Sequence, residues 1–406
     1  MKQFTILTAL VLALAVVALA GGPPAADAGG LPTGQAGAGR VFHADSRFPE
    51  RAAAPRILAQ PAVIGEDERL PVPDTTVFPF SAITYLELYD ADGYVVASCS
   101  GTLIGPDTVL TAAHCLYSAE SGWKYDIAVI PGRTPESEPF SHEFAADWWV
   151  PDAWYDSAAA VWDWGIIKLP DGALGTAAGW LTIASLQADT LSAPDFWPTI
   201  AGYPGDMPDG TMWAGVKDAF VYLDDTDLWY EIDTAPGQSG SSVFSSNLTQ
   251  WYAGYIVGVH NYGGETENYG SRVDEEMIGY LDGACQEMGC VFQYFVEAPP
   301  PSFLWGDVDC SGVVNIGDAQ KIARSRVNLP VTQAPECPAF GDPIAAGGQA
   351  FLWADIDCNS DIGIGDGQKL ARSMVGLPIT QATPCFAPGA EVVLGAAPSG
   401  GRGGSP

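Results

Sequence analysis

Ile83-Thr84-Tyr85-Leu86-Glu87-Leu88-Tyr89 is followed by the turn Ala91-Asp92-Gly93, by Tyr94 to Ser98 and Thr102 to Ile104, by the turn Gly105-Pro106-Asp107, and by Thr108 to Thr111. Alternation at period two puts one face of each run into a core, and Gly, Pro and Asp mark where the chain reverses. The same texture returns at Gly165 to Leu169, Ala219 to Leu223, Ser242 to Phe244 and Tyr255 to Val259. Helical periodicity is scarce until Asp274 to Gly283, so residues 63–296 read as an all-β domain, a sandwich or a pair of barrels.

Outside that block the chain is organised differently. It has 406 residues, room for two or three domains, and is 47% hydrophobic against 16% charged, which suits globular folding. Seventeen Lys+Arg against 49 Asp+Glu give a net charge of -32, which repels phosphate backbones and anionic lipid; nucleic-acid binding is disfavoured. Lys2, the apolar run Ile6 to Ala20 and Ala18-Leu19-Ala20 have the layout of a secretory signal peptide over residues 1–20, so the mature protein is expected outside the cell with no membrane attachment. Residues 21–62, rich in Gly, Ala and Pro and lacking periodicity, read as a propeptide.

Beyond the β block, Glu297 to Phe303 contains three consecutive prolines and reads as a stiff linker. Residues 304–387 hold a duplicated unit: Gly306-Asp307-Val308-Asp309-Cys310 returns 48 residues later as Ala354-Asp355-Ile356-Asp357-Cys358, and the Asp-x-Gln-Lys-x-Ala-Arg-Ser segments at Asp318 and Asp366 keep that offset. Residues 388–406 read as a disordered tail. Eight cysteines in an exported chain favour disulfides. Cys285 and Cys290 close a short loop, and the 27-residue spacing of Cys310 to Cys337 and of Cys358 to Cys385 argues for one bridge per repeat.

Three segments carry chemistry. Thr111-Ala112-Ala113-His114-Cys115 ends a strand, Asp163-Trp164-Gly165-Ile166-Ile167 opens another, and Gly237-Gln238-Ser239-Gly240-Ser241 is a glycine-flanked serine loop. A serine hydroxyl is a poor nucleophile until an imidazole takes its proton, and the imidazole needs a carboxylate to fix its tautomer. His114, Asp163 and Ser239 supply those groups, with Asp152 and Asp156 as rival carboxylates. Glycines around Ser239 let the N–H groups of Gly237 and Ser239 converge on a developing oxyanion.

In context and in the order His, Asp, Ser, these segments resemble the chymotrypsin-like serine proteases, which implies a double β-barrel. Cys99 and Cys115 resemble the bridge that staples the histidine loop in many of them. Val63-Ile64-Gly65-Glu66-Asp67-Glu68-Arg69, Gly202-Tyr203-Pro204-Gly205-Asp206, Asp233-Thr234 and Val259-His260 resemble segments of the bacterial glutamyl endopeptidases. That resemblance implies a mature chain starting at Val63 or Ala62. It also implies a pocket in which Thr234, His260 and the α-amine of Val63 hold the acidic side chain before the scissile bond. A carboxylate leaving water needs such donors and positive charge. Ser242 departs from the family, which usually has proline there.

Asp307, Asp309, Ser311, Val313 by its carbonyl, Asn315 and Asp318 follow the oxygen-ligand spacing of a calcium loop, with Gly312 at the turn position. Asp355, Asp357, Asn359, Asp361 and Asp366 form the second copy, in which Ser360 replaces the glycine and Gly363 leaves one position to water. Asp at the last position of each loop, before a helix with Lys-x-Ala-Arg, resembles dockerin modules; the resemblance implies a small α-helical domain, bound calcium and a cohesin-type scaffold partner. The expectation is thus a secreted serine endopeptidase cutting after Glu or Asp, needing no cofactor for its chemistry. The alternatives are a different cleavage preference or a catalytically silent binding protein.

Overall fold

The computed structural model describes residues 38–44, 62–299, 302–346 and 349–393. The expected signal peptide and most of the expected propeptide lie outside the described residues, as does 394–406. The chain forms two compact units, Met1–Glu297 and Ala298–Pro406.

The first unit is built from two antiparallel sheets, the all-β class expected. One runs in the order Gly39–His43, Asp147–Pro151, Gly165–Lys168, Thr108–Thr111, Val95–Leu103, Ile83–Tyr89, Asp126–Pro131 and Glu143–Phe144. The other runs Tyr222–Leu223, Asp227–Tyr230, Asn268–Arg272, Ile256–Gly263, Ser242–Ser245, Pro198–Gly202, Trp213–Val216 and Leu70–Pro71, with Ile183–Ser185 and Tyr294–Val296 joined to it in parallel. Ile83, Leu86 and Leu88 are at most 1% exposed because their strand is central and covered on both faces.

Two local expectations change. All of Tyr94 to Ser98 and Thr102 to Ile104 except the outermost Tyr94 and Ile104 belongs to one strand, Val95–Leu103, which passes its neighbours closely at Gly101. A Cβ there would lie 2.8 Å from Val109 Cγ1 and 2.9 Å from Thr84 Oγ1. Of Ala219 to Leu223 only Tyr222–Leu223 is strand. It sits at the sheet edge, where Val221 and Tyr222 are more than half exposed and only Phe220 and Leu223 of the run pack against the core.

The helix expected at Asp274 to Gly283 runs Glu275–Met288. Asp274 caps it by accepting from Met277 N at 2.7 Å, and Gly289 ends it at φ +69°. Met277, Ile278, Leu281 and Ala284 form its buried stripe. Among the described residues no helix is long and apolar enough to cross a membrane.

The second unit is not purely helical. Helices Ile316–Arg326 and Ile364–Met374 pack closely at Gly367, where a Cβ would lie 2.8 Å from the Ala319 carbonyl oxygen. Beside them Pro343–Ala346 pairs with Gln349–Leu352, and Ser302–Leu304 with Glu391–Val393. The end of the expected linker and the start of the expected tail are therefore strands. Averaging over Gly, Pro and Ser had hidden Val392, which is 1% exposed in a core with Trp305 and Trp353. The disulfides are Cys99–Cys115, Cys285–Cys290, Cys310–Cys337 and Cys358–Cys385.

Candidate active site

Strand register brings the first two groups together. Gly165 pairs with Thr111, so the residues just before one strand and just after the other meet at the sheet's end. There His114 Nδ1 lies 2.7 Å from Asp163 Oδ2, and the His114 backbone N–H donates to Asp163 Oδ1 at 2.8 Å. Asp163 is fully buried, while the His114 side chain keeps 23% exposure. Two bonds from one residue to both carboxylate oxygens fix the imidazole's orientation and put the proton on Nδ1, leaving Nε2 free to accept one. The rivals are used elsewhere: Asp152 accepts from Arg40 Nε at 2.9 Å, and Asp156 lies 3.8 Å from the same guanidinium.

The serine loop spans the two sheets. Ser100 N donates to the Ser239 carbonyl at 2.9 Å, Gly240 N to the His260 carbonyl at 2.8 Å, and Cys115 Sγ lies 3.8 Å from the Ser239 carbonyl oxygen. Ser239 is thus seated beside the short helix Ala113–Leu116 that carries His114. Gly240 has φ +84°, and a Cβ on it would lie 2.1 Å from Thr111 Oγ1 and 2.3 Å from the Ser100 carbonyl oxygen; no other residue fits. Gly237 has φ +100°. Among the described residues neither the Gly237 nor the Ser239 N–H donates to a protein acceptor, which leaves both for a ligand oxygen.

Next to this loop lie Thr234 and His260, both fully buried, with Thr234 Oγ1 and His260 Nε2 lacking any partner. The Thr234 N–H donates to the Ala62 carbonyl at 3.2 Å, so the bond between residues 62 and 63 sits beside Thr234. Burial, reinforced by the charge of His114, pushes the His260 imidazole down to about 3.

Three residues that the sequence did not single out complete the site. Tyr230 Oη lies 2.7 Å from His260 Nδ1. Burial holds this phenol well above its ordinary value, so it keeps its proton. If His260 donated from Nδ1, the Tyr230 hydroxyl proton would be stranded in the core; with Tyr230 donating, the remaining unpaired group is His260 Nε2–H, a donor. Asn268, fully buried, clamps residue 62 by accepting from Ala62 N at 3.0 Å and donating to the Ala62 carbonyl at 2.6 Å. Arg69 has no exposed side-chain surface and bonds Asp67, Asp206 and Gln238 Oε1, the last at 3.2 Å. Its neighbours in sequence look like a polar surface run, and only the distant partners reveal its role. Asp233 holds the start of the domain, accepting from Ile64 N and Glu68 N, both at 2.7 Å.

In the second unit the loops gather part of the expected set. One carboxylate oxygen each from Asp307, Asp309 and Asp318 lies within 4.8 Å of the others, and so do those of Asp355, Asp357 and Asp366. Ser311 Oγ bonds Asp307 at 3.2 Å, and Asn359 and Asp361 lie in the second loop, where Asp361 N donates to Asn359 Oδ1 at 2.8 Å. Asn315 Oδ1 accepts from Gly317 N at 2.8 Å as a helix cap, and its Nδ2 donates to the Val313 carbonyl at 3.0 Å. Asp318 is fully buried and its Oδ1 has no partner. Burial, with Asp307 adding to it, pushes its carboxyl up to about 6. Ser360 holds φ +69° where the first loop has Gly312 at +84°. Lys321 and Lys369 contact Asp309 and Asp357.

Comparison with known proteins adds to this geometry. A model of the Trypsin family matches residues 85–275. Glutamyl endopeptidase of Bacillus licheniformis is 33% identical over 256 residues, 60% of this chain and 76% of the relative. An extracellular metalloprotease of Bacillus subtilis is 31% identical over 223 residues, 54% of this chain and 68% of the relative. A solved Glu endopeptidase in complex with MPD has 29% identity, covers 55% of this chain and 99% of its own, and gives a TM-score of 0.49.

Proposed function

The chain belongs to the trypsin-like serine endopeptidases, and we propose that it cleaves peptide bonds after Glu, with Ser239 as nucleophile, His114 as its base and Asp163 as the group that orients His114. The carrying observation is the pair of unpartnered, fully buried atoms Thr234 Oγ1 and His260 Nε2 beside the serine loop. Two buried donors without a protein partner are costly unless an acceptor arrives, and a carboxylate accepts from both. The α-amine released between Ala62 and Val63 supplies positive charge at the same place. Ser239 Oγ attacks the carbonyl carbon as its proton passes to His114 Nε2. The Gly237 and Ser239 N–H groups hold the oxyanion, and His114 returns the proton to the leaving amine.

The name of the Bacillus subtilis relative raises a metal-dependent alternative. In this chain Cys99, His114 and Cys115 form a ligand-like cluster in the first unit, but both sulfurs are joined in a disulfide and offer no thiolate. Residues 1–20 favour export, as does the word extracellular in that relative's name.

Cleavage-site mapping tests the reading: new ends from a denatured substrate protein, read by mass spectrometry, should cluster after Glu. Ends spread over other residues would remove the pocket assignment and leave the triad. Tyr230→Phe should cost Glu substrates about 3–10-fold in kcat/KM, the worth of one net hydrogen bond, and leave leucine or phenylalanine substrates within about twofold. Equal losses on all substrates would assign Tyr230 to packing alone.

The second unit reads as a calcium-loaded, dockerin-like tether. The fit rests on three converging carboxylates per loop and on the orphaned Asp318 Oδ1, a set of hard oxygen donors suited to calcium. Asp307, Asp309 and Asp318 would hold one ion and Asp355, Asp357 and Asp366 the other. Chelation should make residues 302–393 sensitive to an added protease while 62–297 stays intact, and calcium should restore protection. Unchanged digestion would sink the metal assignment. A cohesin-type partner is favoured by a duplicated set of exposed apolar side chains, Ile316, Val327 and Leu329 with their repeat mates Ile364, Val375 and Leu377.

A further inference from the structure

Strand Gly39–His43 lies in the segment that the proposed maturation removes, yet it is built into the first sheet. We propose that strand Asp147–Pro151 and the aromatic side chains beside it are a docking site for this pro-segment, which the protease keeps bound noncovalently after the bond before Val63 is cut. The proposal rests on reading residues 21–62 as removed.

Without residues 39–43, Asp147–Pro151 is the sheet's edge, and it carries Trp148 and Trp149. An open edge bearing two large apolar rings is a pairing hazard that proteins cover. The pro-segment covers it by strand addition, with a register from Gly39 opposite Pro151 to His43 opposite Asp147. Pairing extends beyond both ends, where Asp152 N donates to the Ala38 carbonyl at 3.1 Å and Ala44 N to the Ala146 carbonyl at 3.0 Å.

Side chains add specificity that backbone pairing lacks. Phe42 stacks on Trp148 with ring centroids 4.7 Å apart and meets Trp123 at 5.6 Å. Arg40 bonds Asp152 at 2.9 Å and lies 4.6 Å over the Tyr155 ring. Gly39 is demanded by contact: a Cβ there would lie 2.0 Å from two atoms of the Trp149 indole. Aromatic residue, arginine and glycine each meet a matching feature, which a chance strand contact does not supply.

The test uses the full chain carrying Ser239→Ala, with a recognition site for a sequence-specific protease placed between residues 50 and 56. After folding and cutting, the fragment holding residues 38–44 should co-elute with the remainder in gel filtration at micromolar concentration, read by denaturing mass spectrometry. Phe42→Ala and Gly39→Val should cut the retained fraction by more than tenfold. Arg40→Asp should weaken retention, and adding Asp152→Arg should restore it, a reading that survives if Gly39→Val fails to fold. Separation of the unaltered fragment, or equal retention in all variants, overturns the proposal. Intact mass of the active chain separately shows whether the bond before Val63 is cut, so failure of the maturation reading is distinguishable from failure of the docking site.

Discussion

Ser239→Ala is expected to lower kcat/KM by about 10⁵–10⁶-fold while leaving the protein folded. On the proposed mechanism Ser239 Oγ forms the acyl intermediate, so what remains without it comes from binding and the oxyanion donors. The fold should hold, since loop conformation depends on the glycines at φ +100° and +84° and on the backbone bonds from Ser100 and Gly240, none of which uses the Ser239 hydroxyl. Stability by thermal melting should move by less than about 1 kcal/mol. Activity above about 1% of the parent would point to a different nucleophile.

His260→Ala should cost Glu substrates about 10²–10³-fold and apolar substrates under tenfold, because a charged ligand loses a desolvated donor whereas an apolar one never used it. The pH behaviour separates this from recognition by an imidazolium. With the imidazole pushed down to about 3, His260 stays neutral above pH 5, so the Glu preference should be flat from about pH 5 to 7, below the range in which the α-amine of Val63 loses its proton. A preference fading above about 6.5, the ordinary histidine range, would contradict the neutral donor.

Stability follows with a definite sign. Below about 6.5 the unfolded chain binds a proton at this residue and the native chain does not until about 3, so folding free energy is lost as pH falls through that window, by up to ~5 kcal/mol. His260→Gln should flatten that acid limb; an unchanged limb would mean other groups set it.

Strand content and the three segments of the candidate site were legible because each is local: period-two runs, turn residues, and a serine between glycines. The pairing of His114 with Asp163 was legible only as a resemblance, since it depends on the register of Gly165 against Thr111. Tyr230 and Asn268 were not legible, as their partners His260 and Ala62 lie on other strands or at the far end of the domain. Strand Gly39–His43 escaped notice because a glycine chosen for closeness to Trp149 looks, in sequence, like one chosen for looseness. Asn315 fits both a ligand position and a helix cap, and the residue types at that position serve both uses, so the sequence did not reveal the cap.

Arg69 joins Asp67 in the segment after Val63, Asp206 in the loop after Gly202, and Gln238 in the serine loop, with its guanidinium shut off from water. Gln238 Oε1 in turn accepts from Ala235 N at 3.0 Å, so the segment after Val63 and the loop of Ser239 share one bolt. For anyone building with this enzyme, the amino-terminal side is therefore a poor place for a fusion or an affinity handle: whatever tugs on residues 63–69 tugs on the machinery of bond cleavage.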